Sequence, residues 1–148
     1  MSEISNYTFP GDRYYDREHH LWTHPLPDIG RVRVGMDALG LESLGDLVFI
    51  AFKPVGTLVR RGESLGTMEA SKMTGDLIAP VSGVVKAHNP AVVADPHLAN
   101  RAPYSDGWLV EIEPVDWNSD ATRLVHGAEV RDWATGEVER YRTQGWID

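Results

Sequence analysis

Between Pro54 and Gly83 the chain never runs far before a glycine or proline interrupts it. Gly56, Gly62, Gly66, Gly75 and Gly83 fall at the expected corners, with Pro54 and Pro80 as further stops. A helix of ordinary length does not survive glycine at that density. Short strands joined by turns do, and the spacing predicts a small, mainly β sandwich or barrel. The flanking patterns agree. Arg31-Val32-Arg33-Val34 alternates with the valines toward a core and predicts a strand reaching Met36. Residues 19–23 predict another, with Pro25, Pro27, Asp28 and Gly30 turning the chain between them. Residues 47–52 form a continuous apolar run bounded by Asp46 and Pro54, which suits a buried strand. Before it, Asp37 can cap a short internal helix that Gly45 ends, although Gly40 weakens it. Residues 108–112 predict a closing strand. Pro54 to Val59 echoes Pro80 to Val85, as two halves related by a local two-fold would.

At 148 residues the chain is expected to hold one principal domain. Residues 1–13 read as a flexible extension and 14–115 as the domain. Residues 116–148 read as a helical C-terminal tail packed on it. In that tail Val130, Trp133, Ala134, Val138 and Tyr141 recur at helical spacing across 128–143, with Gly136 a candidate break. A net charge of −8 opposes nucleic-acid binding, which needs a basic face. With no cysteine there is no disulfide framework, thiol nucleophile or zinc–thiolate site. No apolar run is long enough to span a membrane, and residues 1–7 show neither a secretory signal nor a transit pattern. A cytoplasmic location is expected.

Lys53, Lys72 and Lys86 are the only lysines. Lys72 lies in Glu69-Ala70-Ser71-Lys72-Met73-Thr74-Gly75-Asp76, a polar break between two apolar runs. That is a hairpin signal, and it sets a primary amine at an exposed tip, where a carrier protein attaches a prosthetic arm. Taken alone, the same residue is an ordinary solvated loop lysine. Gly66 and Gly75 flank the tip and would let the hairpin turn tightly. Glu69, Asp76 and Asp46 offer an acidic rim for an attaching enzyme or partner to read, or simply solvate the loop. The six histidines include the adjacent pair His19-His20, which would face opposite sides of a strand. None has helical metal-ligand spacing, and no catalytic triad or phosphate loop emerges. No metal site and no catalytic centre are expected.

Several separated blocks resemble the H-protein family of the glycine cleavage system. These are His20-Leu21-Trp22, Gly45-Asp46-Leu47-Val48-Phe49-Ile50, Glu69-Ala70-Ser71-Lys72 and Pro80-Val81-Ser82-Gly83. A later block adds Asn89, Pro96, Leu98, Asn100, Pro103, Tyr104, Gly107 and Trp108. The resemblance implies a biotinyl/lipoyl-carrier barrel-sandwich hybrid with lipoate joined to Lys72 by a lipoate ligase or lipoyl transferase. Ser71 and Met73, with Glu69 and Asp76, would be the recognition residues around the arm. It also implies a non-catalytic carrier of an aminomethyl group, with glycine decarboxylase, aminomethyltransferase and dihydrolipoamide dehydrogenase as partners. Three departures keep other readings open. Met73 partly resembles a biotin-carrier motif. The tip residues differ from the usual signature, and the tail is long. These also resemble lipoate-binding proteins that carry sulfur intermediates for a sulfur-oxidising heterodisulfide-reductase-like complex. An unmodified binding module is the remaining alternative.

Overall fold

A computed structural model of the chain describes residues 2–148. Strands β3 (Tyr14–Tyr15), β4 (Leu21–Leu26), β5 (Arg31–Met36), β11 (Val110–Pro114), β10 (Gly83–His88) and β7 (Leu58–Val59) lie side by side in that order in one antiparallel sheet. A second antiparallel sheet has β8 (Ser64–Ala70) between β6 (Leu47–Phe52) and β9 (Thr74–Ile78). Both sheets contribute to one core. Val34, Val85, Val110 and Ile112 come from the first, and Leu47, Ile50, Leu65, Met68 and Leu77 from the second. Hence the alternation at the start of β5, where Val32 and Val34 are buried and Arg31 and Arg33 are half-buried.

The remaining elements are helices α1 (Ala38–Leu44), α2 (Pro90–Ala94), α3 (Leu98–Arg101), α4 (Trp117–Ala121) and α5 (Glu129–Thr143), and a hairpin of β1 (Ser2–Ile4) with β2 (Tyr7–Phe9). A second apolar cluster joins Phe9, Tyr15, Trp22 and Leu39 to Val125, Val130, Ala134, Val138 and Tyr141. Residues 2–9 thus form a hairpin with Ile4 and Phe9 buried, in place of a loose extension. Phe9 meets Tyr15 and Trp133 edge-on, at 5.7 and 5.8 Å between ring centres. Helix α5 runs through Gly136 unbroken, because its buried face secures it on both sides.

The echo between residues 54–59 and 80–85 has a structural counterpart. Leu58 pairs with Val84, its own equivalent, when β7 meets β10. Two other expectations change. Gly66 and Gly75 lie within β8 and β9, paired with Leu77 and Met68, and do not make the turn. A Cβ on Gly66 would drive into the Ala51 carbonyl of the neighbouring strand, so this glycine permits close backbone approach at a bulge. The strand expected from residue 19 starts at Leu21. The Asp16 carboxylate accepts the Glu18 and His19 amides, turning the chain, and His20 follows at φ +59°.

Candidate functional site

The hairpin between β8 and β9 closes through Ser71, Lys72 and Met73, with the Ala70 amide donating to the Met73 carbonyl at 2.9 Å. The tip does not project unsupported. The Ser71 amide donates to the Asp46 carbonyl (2.9 Å), the Asp46 amide to Ser71 Oγ (3.0 Å), and the Lys72 amide to the Leu44 carbonyl (3.0 Å). Three hydrogen bonds therefore dock the tip onto the C-terminal end of α1. Gly45 makes this possible. It has φ +83° and ψ −159°, a region open essentially to glycine, and a Cβ there would collide with Ser71 Oγ.

A buttress holds Gly45 from behind. Asn100 donates through Nδ2 to the Gly45 carbonyl (3.0 Å) and accepts the Leu47 amide on Oδ1 (2.9 Å). At the other end of α1, the Tyr104 hydroxyl accepts the Ala38 amide (2.9 Å) and donates to the Thr8 carbonyl (2.6 Å). Asn89 caps α2 through the Ala91 amide and donates to the Asp106 and Trp108 carbonyls. The block containing Asn89, Asn100 and Tyr104 is thus a scaffold for α1, and α1 is the platform for the tip. Trp108 is only partly buried, with the Arg33 guanidinium 4.6 Å from its ring centre.

Lys72 is exposed, and its Nζ donates to the Glu42 carbonyl at 3.1 Å. Among the described residues no carboxylate lies within ion-pair distance of it. Ser71 and Met73 share the tip with it. Glu69 and Asp76 are exposed on β8 and β9 below, and Asp76 accepts a long hydrogen bond from Ser64 Oγ (3.3 Å). Asp46 directs its carboxylate to His97 Nε2 (3.1 Å) and not to the lysine. Beside Glu69 the bulge between Leu47 and Phe49 leaves Val48 and Phe49 both exposed. The tip thus offers a primary amine, clamped at its backbone and held at its side chain by one carbonyl alone, with acids and apolar side chains nearby.

One cluster has no signal in the local sequence. His20 is buried, donating through Nδ1 to the Asp37 carboxylate (2.7 Å) and through Nε2 to that of Glu137 (2.9 Å), while stacked on Trp133 at 5.1 Å. Asp37 also caps α1 by accepting the Gly40 amide (2.8 Å), and Arg140 donates to Glu137. Burial would lower the imidazole pKa, but the charges and hydrogen bonds of Asp37 and Glu137 overcome this and raise it to about 9. Burial would raise that of Glu137, but hydrogen bonds from His20 and Arg140 bring it down to about 2. The charged triad joins α5 to the N-terminal end of α1. Its members are 17 and 117 residues apart in sequence, so only a tertiary contact could reveal them. Among the described residues no group of three histidines, cysteines or acids is placed to hold a metal ion, and no helix is long and apolar enough to cross a membrane.

The two sheets sharing one core, with a lysine-bearing hairpin at their edge, form a barrel-sandwich of the biotinyl/lipoyl-carrier class. The family profile of the glycine cleavage H-protein matches residues 13–136. The chain belongs to that family. It is 36% identical to glycine cleavage system H protein 3 of Aquifex aeolicus over 142 residues, covering 94% of this chain and 88% of that one. It is 43% identical to the glycine cleavage system H protein of Chlorobium phaeobacteroides over 104 residues, covering 70% and 80%. The crystal structure of a glycine cleavage system H protein from Mycobacterium marinum superposes with a TM-score of 0.73 at 36% identity, covering 87% of this chain and 98% of that one. These relationships favour the glycine-cleavage reading over the sulfur-oxidation and biotin-carrier alternatives.

Proposed function

We propose that Lys72 carries lipoate as an amide and that the chain is the arm-bearing, non-catalytic component of a cytoplasmic glycine cleavage system. The observation that carries this reading is the clamped tip. Backbone hydrogen bonds from Ser71 and Lys72 fix where the arm begins, while the lysine amine is engaged by one carbonyl alone. Releasing that amine costs a single hydrogen bond, on the order of 1 kcal/mol. In attachment, Nζ attacks an activated lipoyl carboxyl group. The amide bond forms, the activating group leaves and the amine loses its proton, so the side chain becomes neutral. The bound group supplies a disulfide that opens to a dithiol on reduction and closes again on oxidation.

The chain's own residues position and present the arm. Ser71 and Gly45 keep the tip on α1. Glu69 and Asp76, with Met73 at the summit, form the surface that a lipoate ligase or lipoyl transferase reads. The cysteine-free sequence leaves the arm no internal thiol with which to exchange. The partners are then those of glycine cleavage: glycine decarboxylase, aminomethyltransferase and dihydrolipoamide dehydrogenase. The deciding experiment is intact-mass and peptide mass spectrometry on protein from lipoate-replete native cells. A lipoyl adduct on Lys72 is the expected result. A biotinyl adduct, or none, defeats the reading.

A further inference from the structure

Away from the Lys72 tip, a cavity of about 180 Å³ is walled by Arg17, Arg61 and Arg123, with His19 and the acids Asp16 and Glu18. The three arginines come from separate connections: the loop after β3, the turn between β7 and β8, and the loop after α4. Their backbones are fixed. The Arg61 amide donates to Ser82 Oγ (2.8 Å), and the Ser82 amide donates to the buried Asp120 carboxylate (2.9 Å). The Arg123 amide donates to the Asp120 carbonyl (3.0 Å), so Ser82 and Asp120 tie these two connections together. Beside Arg61, Gly62 takes φ +91° and donates to the Ala79 carbonyl (2.9 Å). Asp16 holds the third connection by accepting the Glu18 and His19 amides.

The acids nearest these arginines are engaged elsewhere. Asp120 takes the Ser82 amide, Glu63 takes the Arg60 amide (2.7 Å), and Asp16 binds its own turn and His19 Nδ1 (3.3 Å). Arg17 reaches only Glu129, at 3.6 Å between two exposed side chains. Among the described residues Arg61 and Arg123 have no carboxylate within ion-pair distance. Arg31, Arg33, Arg101 and Arg140, by contrast, each bond a carboxylate. Glu18 is the remaining acid on the wall, one charge against three. On a chain of net charge −8 this is a locally cationic cleft, and a cleft concentrates the field of the charges that line it.

Such walls suit an anion. A guanidinium presents paired N–H groups that match carboxylate or phosphate oxygens. Three of them from different directions suit a phosphate group, which accepts on several oxygens, better than a planar carboxylate with two. The cavity is smaller than the roughly 300–1,000 Å³ of organic-ligand sites, so it encloses a single charged group and not a large molecule. We propose that Arg17, Arg61 and Arg123 form an anion site for a phosphate group, carried by inorganic phosphate or by a small phosphomonoester whose remainder extends into solvent. Its lining includes none of Ser71, Lys72 and Met73, so binding there does not depend on what Lys72 carries.

The test titrates the isotope-labelled full chain with inorganic phosphate, and separately with glycerol phosphate, at constant ionic strength while its amide resonances are followed. Saturable shifts centred on Arg61, Gly62 and Arg123 are expected. Arg61→Gln and Arg123→Gln, each checked for an unchanged melting transition, should each weaken binding about ten-fold, as loss of one charge-assisted hydrogen-bonding partner does. Arg131→Gln, which removes an exposed arginine of α5, should leave it unchanged. Tighter binding of the ester would assign the site to a phosphorylated metabolite, and equal binding to the free ion. Shifts that do not saturate, that extend to Arg131, or that persist undiminished in both folded variants would overturn the site. A glutamate-rich peptide that binds there while phosphate does not would also overturn it, and would give the cleft to a partner protein.

Discussion

At its N-terminal end α1 is capped by Asp37, whose carboxylate is fully buried and bound to the charged His20 that also holds Glu137 of α5. At its C-terminal end the same helix offers the Leu44 and Glu42 carbonyls to an exposed hairpin tip. The first end is built from buried charges, which the interior tolerates only when each is fully paired. The second is built from backbone hydrogen bonds, each worth on the order of 1 kcal/mol, and leaves its side chain to solvent. The platform is rigid where it joins the core and permissive where it meets the Lys72 tip.

The largest expected effect falls at the permissive end. Lys72→Arg should abolish the lipoyl adduct completely and leave the melting transition in place, because the clamp uses the backbone. Intact mass and thermal melting check both halves, and a persistent adduct at another residue would undo the assignment. Next comes the rigid end as a whole. Removing the chain after Val115 uncovers Phe9, Tyr15 and His20 and deletes Val125, Val130, Ala134, Val138 and Tyr141. At about 1.5–3 kcal/mol per buried apolar side chain, the loss rivals the whole stability of a domain. Near-ultraviolet circular dichroism should show no cooperative transition; a sharp one at the original midpoint would mean that the tail only decorates the fold.

A smaller effect isolates the triad. His20→Gln should cost about 3–5 kcal/mol in denaturant unfolding, the usual result of removing one partner from buried charges. The wild-type pH profile should carry the same signature. The His20 pKa is raised from 6.5 to about 9, so its contribution is complete below 6.5 and fades as pH rises through 9. That of Glu137 is lowered from 4.5 to about 2, so its contribution is complete above 4.5 and fades as pH falls through 2. Stability from the triad is then greatest between 4.5 and 6.5, and the alkaline limb should vanish in His20→Gln. A midpoint flat from pH 6.5 to above 9 would show that the imidazole is not held charged. The smallest effect sits where the C-terminal end of α1 meets the tip. Gly45→Ala should cost about 1–3 kcal/mol through its backbone conformation and slow modification by shifting Ser71. An unchanged rate of lipoylation would separate tip position from recognition.

Much of this architecture could be read locally. The alternation over β5, the apolar run of β6, the Asp37 cap, the Gly45 stop and the 3.6-residue rhythm of α5 each follow from residues within one element. The N-terminal hairpin could not, since its strands are three residues long and Phe9 finds its partners in Tyr15 and Trp133. Gly66 was legible as a glycine but not as a point of interstrand approach, because the Ala51 carbonyl that requires it lies on β6.

The sequence by itself determined the class of fold and that a primary amine stands at an exposed hairpin tip. Glycine spacing, strand alternation and a lone lysine in a polar turn act over a few residues, where backbone sterics and side-chain periodicity decide the outcome. Tertiary structure alone decided which histidine is buried and charged, and that the tail closes over the second core and ends beside Lys72. Those properties arise from groups more than a hundred or some seventy residues apart in the chain. Their energies depend on desolvation and mutual distance, which no local pattern records.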